Sequence, residues 1–247
     1  RCILAKELYW GGGRRPNAVD QTALDVFAAL ARDAGTVFDI GSYTGIFSLL
    51  SAAVSPTARV HAFEVIPEVF LAAWSNVIRN DKVGRIDVHL RAVGASENLC
   101  VVRGTGGSAL PDFLSTGTAA AEHGVSVPGM HLDELAALTA DGPVLLKIDI
   151  EGGEPAAFRS GAGFLSEHRP DILCEVLPDT PTDAMATQLR GLGYRFYSVG
   201  PGELGADDDL RGLTDRRDWL YTTKTPDELA ELVRPVGVRV ICREPAG

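Results

Sequence analysis

Five carboxylates stand where predicted strands end, and they are the side chains best suited to chemistry. They are Asp39, Glu64, Asp149, Glu151 and Glu175. In an open α/β sheet the ligand binds outside the carboxyl ends of the strands, so these acids should meet at one edge. Such a group can take a proton from a hydroxyl as a general base. Because like charges repel, the cluster also requires a cation or hydrogen-bond donors among its members.

Three of these acids are the candidate catalytic residues. Asp149 is the first choice for a general base, and Glu151 and Glu175 would orient the acceptor. A base at the reacting hydroxyl adds roughly 10²–10⁴-fold to the rate. The alternative is that Asp149 and Glu151 cap the following helix. Lys147 either steadies the acids or is an ordinary strand lysine at a sheet edge.

The histidines are weaker candidates. His61 falls in mid-strand and is expected to pack, and His168 precedes the fifth strand, at the opposite edge. His89 lies near the end of the third strand and fits either role. His123 and His131 lie in or beside a long loop section, where each could act as a base from a lid or be solvated. No spacing of histidines and carboxylates predicts a metal site.

Composition excludes several classes of function. A chain of 247 residues, 45% of them hydrophobic, can build one sizeable α/β domain. The net charge of −10 without a basic cluster argues against a nucleic-acid partner. No apolar run reaches membrane-spanning length and no secretory signal is visible, which predicts a cytoplasmic protein without membrane contact. The four widely spaced cysteines predict neither a zinc site nor a disulfide framework.

The stretch Val37–Leu50 predicts a strand, a glycine turn and a helix in direct succession. Gly41 and Gly45 flank a turn where a ligand can approach the backbone closely. Thr44 is placed to cap the helix. An acid at the strand end, Asp39, followed by G-x-x-x-G is typical of nucleotide binding in doubly wound folds. The alternative is that the glycines serve packing alone.

A second strand, within 58–70, ends in an acid 25 residues after Asp39. In dinucleotide-binding folds a carboxylate at this position accepts hydrogen bonds from ribose hydroxyls, which is the predicted role of Glu64. The alternative is a solvated acid at a strand end. Pro67 suits the first turn of the next helix.

The order of elements predicts a helical lead-in or lid over 1–35 and a Rossmann-like domain over 36–247. Alternation of strands and helices indicates a mostly parallel, doubly wound sheet. Predicted strands are 36–40, 59–64, 85–91, 144–149, 171–176, 194–199 and 217–224. Predicted helices are 20–33, 44–54, 67–79, 154–165 and 182–191, with a terminal helix and a short strand after them. A variable, Gly-rich excursion over 94–129 includes a candidate edge hairpin, and 201–210 is expected to be an acidic connection.

The segment Val144–Leu165 carries the motif KIDIEG-x-E. Residues 35–222 resemble the FkbM family of S-adenosylmethionine-dependent methyltransferases. The resemblance rests on this motif together with DIGSYTG, AFEVIP, LDEL and DILCEV. The resemblance implies a class I methyltransferase fold, with a seven-stranded sheet whose last strand is antiparallel. It also implies methyl transfer, typically to a hydroxyl oxygen.

The resemblance also implies a set of donor-binding residues. The methionine part of S-adenosylmethionine would be wrapped by Asp39, Gly41, Ser42, Thr44 and Gly45. Glu64 would hold the ribose, Val65 would pack beside the adenine, and Ala92 and Val93 would add adenine contacts. The chain departs from many relatives in having Ser-Tyr at 42–43 in place of Ala-Asn, and FEVIP in place of FEPxP.

We therefore predict an O-methyltransferase that acts on a small-molecule or glycan hydroxyl in bacterial natural-product biosynthesis. Two alternatives stay open: another displacement on the same fold, such as ring closure of an activated amine substrate, and a non-catalytic partner subunit. The expected partners are the small-molecule acceptor and either a second copy of the chain or a subunit from the same pathway. Tyr9 and Trp10, before a Gly-Gly-Gly break, would either wall the substrate site or, as the preferred expectation, dock the N-terminal segment on the core.

Overall fold

The computed structural model describes residues 3–94, 98–102, 114–115 and 124–242. Its strands are β1 (Thr36–Ile40), β2 (Arg59–Glu64), β3 (Ile86–Leu90), β4 (Ala92–Val93), β5 (Leu99–Val102), β6 (Leu114–Ser115), β7 (Gly124–Val127), β8 (Gly129–Met130), β9 (Val144–Ile148), β10 (Asp171–Glu175), β11 (Arg195–Gly200), β12 (Glu203–Asp207), β13 (Asp218–Thr222) and β14 (Arg239–Ile241). Its helices are α1 (Ile3–Trp10), α2 (Ala18–Ala31), α3 (Ile46–Val54), α4 (Pro67–Arg79), α5 (Glu154–Arg159), α6 (Ala162–His168), α7 (Asp183–Gly191) and α8 (Pro226–Val233), with 3-10 helices at Leu132–Leu138 and Arg234–Val236.

The main sheet has nine strands in the order β14-β12-β11-β13-β10-β9-β1-β2-β3. Strands β3, β2, β1, β9, β10 and β11 run in one direction, and β13, β12 and β14 run in the other. The mostly parallel, doubly wound sheet is thus confirmed. The expected seven strands are present, with β13 antiparallel between its neighbours. The strand count itself was wrong, because β12 and β14 extend the sheet beyond β11.

The additional strand β12 lies in the segment that was expected to be an acidic connection. It pairs with β11 as an antiparallel hairpin, with Gly202 in the turn at φ +69°. Leu204 is fully buried, and Ala206, two residues on, packs against the same core. Burial of alternate side chains is typical of a strand that packs one face against a core. In the sequence, the acidic residues of this segment make the short alternation of apolar and polar side chains difficult to recognise.

The predicted helix over 154–165 is interrupted. It divides into α5 and α6 at Ser160 and Gly161. A Cβ atom on Gly161 would lie 2.2 Å from Cδ2 of Leu132, and the backbone amide of Leu132 donates to Oγ of Ser160 at 3.0 Å. The close approach of the 3-10 helix at Leu132–Leu138 thus accompanies the break.

Helices cover both faces of the sheet. One apolar core lies between the sheet and α5, α6 and α7, and includes Phe158, Phe164 and Trp219. The other lies between the sheet and α2, α3, α4 and α8, and includes Phe27 and Leu229. Among the described residues, no helix combines the length and the apolar character needed to cross a bilayer.

The order of the strands reverses between β1 and β9, and Gly41 lies at this point. Its φ is +79°, and a Cβ atom there would lie 1.8 Å from the carbonyl oxygen of Asp149. The Asp149 amide in turn donates to the carbonyl of Ile40 at 2.9 Å. Gly41 is therefore required by the packing of the two strand ends, besides any approach of a ligand.

The described part of the 94–129 excursion forms a small three-stranded sheet. β5 pairs antiparallel with both β6 and β7. The turn of the predicted edge hairpin and His123 lie outside the described residues.

We expect Gly41→Ala to destabilise the fold by at least about 3 kcal/mol, because it combines a strained φ with a clash against backbone. Gly12→Ala is the matched control. Gly12 has φ +62° and nothing within 4 Å of its Cβ position, so it should lose only about 1–2 kcal/mol. Urea denaturation of both variants measures the difference. Equal losses of unfolding free energy in the two variants would show that the contact between Gly41 and Asp149 does not contribute to stability.

Candidate active site

The candidate site lies at the reversal of strand order, where the loops after β1 and β9 meet. Both loops contain a residue other than glycine in the left-handed region, Tyr43 at φ +50° and Glu151 at φ +53°. Such conformations cost energy and cluster at functional sites, where the surrounding structure holds them. A residue as bulky as tyrosine is uncommon in this conformation, which asparagine tolerates better.

The glycine loop is held against β2 and α3. The amides of Gly41 and Ser42 both donate to the carbonyl of Phe63, at 3.0 and 2.9 Å. Asp39 is buried, and its Oδ2 accepts from the amide and the hydroxyl of Ser48 at 3.0 and 2.6 Å. Burial raises the pKa of Asp39 to about 6. Oδ1 of Asp39 and the buried Oγ of Ser42 have no hydrogen-bond partner.

The N-cap of helix α3 is Gly45 and not the predicted Thr44. Helix α3 begins at Ile46, after Gly45 at φ +81°, and no side chain of the preceding residue caps it. Asp39 of β1 provides part of the helix cap, because its carboxylate accepts from the amide of Ser48, the third residue of the helix. The carbonyl of Thr44 instead accepts from Nδ2 of Asn76 at 2.9 Å, which ties the loop to α4.

Glu64 is buried at the end of β2 rather than solvated. Its Oε1 accepts from the amides of Val65 and Ile66 at 2.8 and 2.9 Å. Burial raises its pKa to about 7, against the lowering effect of these amides. Its carboxyl group is therefore oriented by backbone and titrates near neutral pH.

An apolar patch adjoins Glu64. Val65 packs in one cluster with Ala92 and Val127, whereas Val93 belongs to the main core with Phe63. Of the residues expected to contact the adenine, Val65 and Ala92 therefore lie together and Val93 lies apart from them.

The three predicted catalytic acids converge. Asp149, Glu151 and Glu175 each offer a carboxylate oxygen, and these oxygens lie within 4.8 Å of one another. Asp218, which no sequence motif indicated, pairs with Glu175 across β10 and β13. This spacing would allow a cation, either a metal ion or an ammonium group of a substrate, to contact all three.

Lys147 lies beneath these acids with 3% of its side chain exposed. Its Nζ is 3.3 Å from Oδ2 of Asp149 and 3.6 Å from Oδ1 of Asp218, and 5.4 Å from the ring centre of Phe47. Burial alone would lower its pKa, but Asp149, Asp218 and Glu175 raise it above the usual value. The interpretation as an ordinary lysine at a sheet edge was wrong, because β9 is a central strand.

The three acids differ in protonation. Burial raises the pKa of Glu175 to about 8, with the charge of Asp149 and the hydrogen bond between the two side chains adding to this effect. Burial would raise the pKa of Asp149, but Lys147 and the same hydrogen bond hold it below its usual value. Glu151 is exposed, and its pKa is raised by partial burial and by Asp149. Near neutral pH, Asp149 is thus ionised and Glu175 carries a proton.

The capping alternative for Asp149 and Glu151 was wrong. Gly153 precedes α5, and no side-chain hydrogen bond caps this helix. The nearest equivalent is made by Glu154, whose Oε1 accepts from the amide of Ile150 at 3.1 Å.

The four histidines in the described part of the chain do not join the acids. His61 and His89 contact each other, with 3.2 Å between Nδ1 and Nε2, and they stack on Phe38 and Phe63. Burial lowers the pKa of both. His131 is exposed before the 3-10 helix at Leu132–Leu138, and His168 ends α6.

Comparisons with known proteins identify the family and the fold. A family model described as the FkbM methyltransferase domain matches residues 39–196. The 31-O-demethyl-FK506 methyltransferase FkbM of Streptomyces tacrolimicus is 39% identical over 56 residues, which are 23% of this chain and 22% of that protein. The crystal structure of methyltransferase FkbM from Methylobacillus flagellatus superposes with a TM-score of 0.50 at 16% identity, over 89% of this chain and 58% of that one. The chain thus spans less than two thirds of either relative.

We expect Lys147→Met to destabilise the protein by about 3 kcal/mol, because it leaves the partly buried acids Asp149 and Asp218 without their buried cation. Arg211→Met removes a surface partner of Asp207 and should cost less than about 1 kcal/mol. Urea denaturation at neutral pH compares the two. A loss for Lys147→Met as small as that of the surface control would contradict the role of the ammonium.

Proposed function

The chain belongs to the FkbM methyltransferase family, and from this premise we propose that it transfers the methyl group of S-adenosylmethionine to a hydroxyl oxygen. The acceptor is a small molecule or glycan of bacterial natural-product biosynthesis. The observation that carries the proposal is the buried carboxyl group of Glu64 at the end of β2, beside the glycine loop at the reversal of strand order.

The residues present fit the donor. Oγ of Ser42 and Oδ1 of Asp39 are buried without partners, and buried polar atoms of this kind are normally satisfied. A polar ligand beside the loop would supply the missing hydrogen bonds. Glu64 would hold the ribose hydroxyls, and the apolar surface of Val65 and Ala92 would cover the adenine. When bound, S-adenosylmethionine supplies an activated methyl group on a positively charged sulfur.

The carboxylates would serve the acceptor. Positioning alone accounts for roughly 7–11 kcal/mol of the barrier in reactions between well-oriented partners. Of the three acids, we assign the proton-accepting role to Glu151, because it is exposed and has a raised pKa. Asp149 is held by Lys147, which makes it a weaker base than the sequence led us to expect, and it would orient the hydroxyl together with Glu175.

Transfer to oxygen is supported by the relative from Streptomyces tacrolimicus, whose name specifies methylation at an oxygen. A row of carboxylates also suits a hydroxyl acceptor, since ionised acids accept strong hydrogen bonds from hydroxyl groups. The convergence of Asp149, Glu151 and Glu175 would also suit the amine of a ring-closure substrate, so that reaction is the second candidate. A non-catalytic role has no observation in its favour among the described residues.

The first test is binding of S-adenosylhomocysteine, the demethylated donor, by titration calorimetry. We expect micromolar affinity, about 8 kcal/mol, and a loss of about 1.5–3 kcal/mol in Glu64→Ala. If the ionised form of Glu64 holds the ribose, affinity should rise about tenfold between pH 6 and pH 8, because ionisation of a group with a pKa near 7 is completed over this range.

The control is Glu64→Gln, which should bind more weakly and lose this part of the pH dependence. Absence of binding in a folded, monodisperse sample would refute the methyltransferase proposal and favour the two alternatives. An unchanged pH profile in Glu64→Gln would assign the ionisation to another group.

The second test separates the roles of the acids in an assay with labelled donor. Glu151→Gln should lower kcat by roughly 10²-fold, the low end for a lost general base. Asp149→Asn should also lower turnover, but it should shift KM for the acceptor as well, because Asp149 orients it. Neither substitution should change the affinity for S-adenosylhomocysteine more than about twofold. If Glu151→Gln keeps full activity, the role of general base would be assigned to Asp149 instead.

A further inference from the structure

Tyr9 and Trp10 end helix α1 with 78% and 82% of their surface exposed. Their rings pack edge to face, with 5.3 Å between the centroids. The preferred expectation that they dock the N-terminal segment on the core was therefore wrong. Elsewhere in the described part of the chain, the large exposed apolar side chains are aliphatic, so this aromatic pair is distinctive.

Helix α1 is attached to the start of α2. Arg15 bridges the two helices, with Nη2 3.1 Å from Glu7 and 2.8 Å from Asp20. Between them lies Gly11–Gly13, where Gly12 and Gly13 have positive φ and no atom lies within 4 Å of their Cβ positions. The turn is closed by backbone hydrogen bonds from Gly11 to Glu7 at 2.8 Å and from Gly13 to Leu8 at 2.7 Å, so it holds the end of α1 in place above the start of α2.

The start of α2 lies at the edge of the sheet where the carboxylates are. The hydroxyl of Thr22 accepts from the amide of Gly202, in the turn directly after the carboxyl end of β11. Burial raises the pKa of Asp218, and the charges of Asp149 and Asp20 raise it further. The hydrogen bond between Thr22 and Gly202 thus places the first turns of α2, to which α1 is joined, at the edge of the sheet where the acids lie.

We propose that Tyr9 and Trp10 form one wall of the acceptor site, and that the acceptor carries its hydroxyl on a six-membered ring with an apolar face. The inference rests on the proposed function and adds the acceptor class to it. Aromatic side chains offer large, rigid surfaces that stack on such rings, whether aromatic or pyranose. Leaving two of them in water is unfavourable unless a ligand covers them.

The test uses the fluorescence of Trp10 in a Trp74→Phe background, where the remaining indole of Trp219 is fully buried. Acrylamide quenching is measured for the free protein, with S-adenosylhomocysteine alone, and with S-adenosylhomocysteine plus either phenol or methyl glucoside. At least one ring probe should lower the quenching constant of Trp10 by about twofold, and the arm that does so identifies the kind of ring.

Probe affinity is then measured by calorimetry on the donor-saturated protein. Trp10→Ala should weaken binding of that probe about fivefold, with the affinity for S-adenosylhomocysteine changed less than twofold. The control is Leu71→Ala, which removes an aliphatic side chain 60% exposed on α4 and should leave both affinities unchanged. Both variants alter exposed side chains, so both should fold.

The outcomes are distinct. If S-adenosylhomocysteine binds but neither probe shields Trp10, or Trp10→Ala binds the probe as tightly as the parent, the wall is refuted and the proposed function stands. If S-adenosylhomocysteine does not bind, the proposed function fails and this inference fails with it.

Discussion

The arrangement of the site depends on one buried ammonium group, that of Lys147. It lies on a central strand and pairs with Asp149 of its own chain segment and with Asp218 of β13. Glu175 contributes a further carboxyl group from β10, and Asp39 lies beside Lys147 across β1 and β9. Four strands therefore present acids around the buried ammonium, and Arg217, half of whose side chain is exposed, adds a second cation 3.9 Å from Oε1 of Glu175. Without the ammonium, these acids could not stay at the sheet edge except by taking up protons.

The same ammonium makes chemically similar acids behave differently. Asp149 is stabilised as an anion because it is closest to Lys147, and its charge then favours the protonated form of Glu175. Glu151 lies in a strained loop outside this pairing and remains accessible. An acceptor would thus meet a fixed carboxylate, a carboxylic acid and a free base. Environments that separate the pKa values of neighbouring groups are a common way of assigning acid and base roles.

The sequence was sufficient to predict the features that depend on local patterns. Buried strands followed by acids predicted β1, β2, β9 and β10 and the edge at which their carboxylates meet. Features set by tertiary contacts were missed. Asp218 begins an antiparallel strand, so the rule about carboxyl ends did not select it, and its position becomes clear only once β13 pairs with β10. The break at Gly161 likewise follows from the approach of Leu132, 29 residues away in sequence.

The contact between Gly41 and Asp149 joins the two halves of the site. The glycine loop that would hold the donor and the loop that carries the acids touch backbone to backbone at this point, where no side chain can fit. A displacement of either loop would therefore be transmitted to the other with little loss, since packed backbone is hardly compressible. Methyl transfer requires donor and acceptor atoms in line at close range, and a rigid contact between their two loops meets that requirement. Gly41 would thus serve the proposed methyl transfer through geometry, although it contributes no functional group.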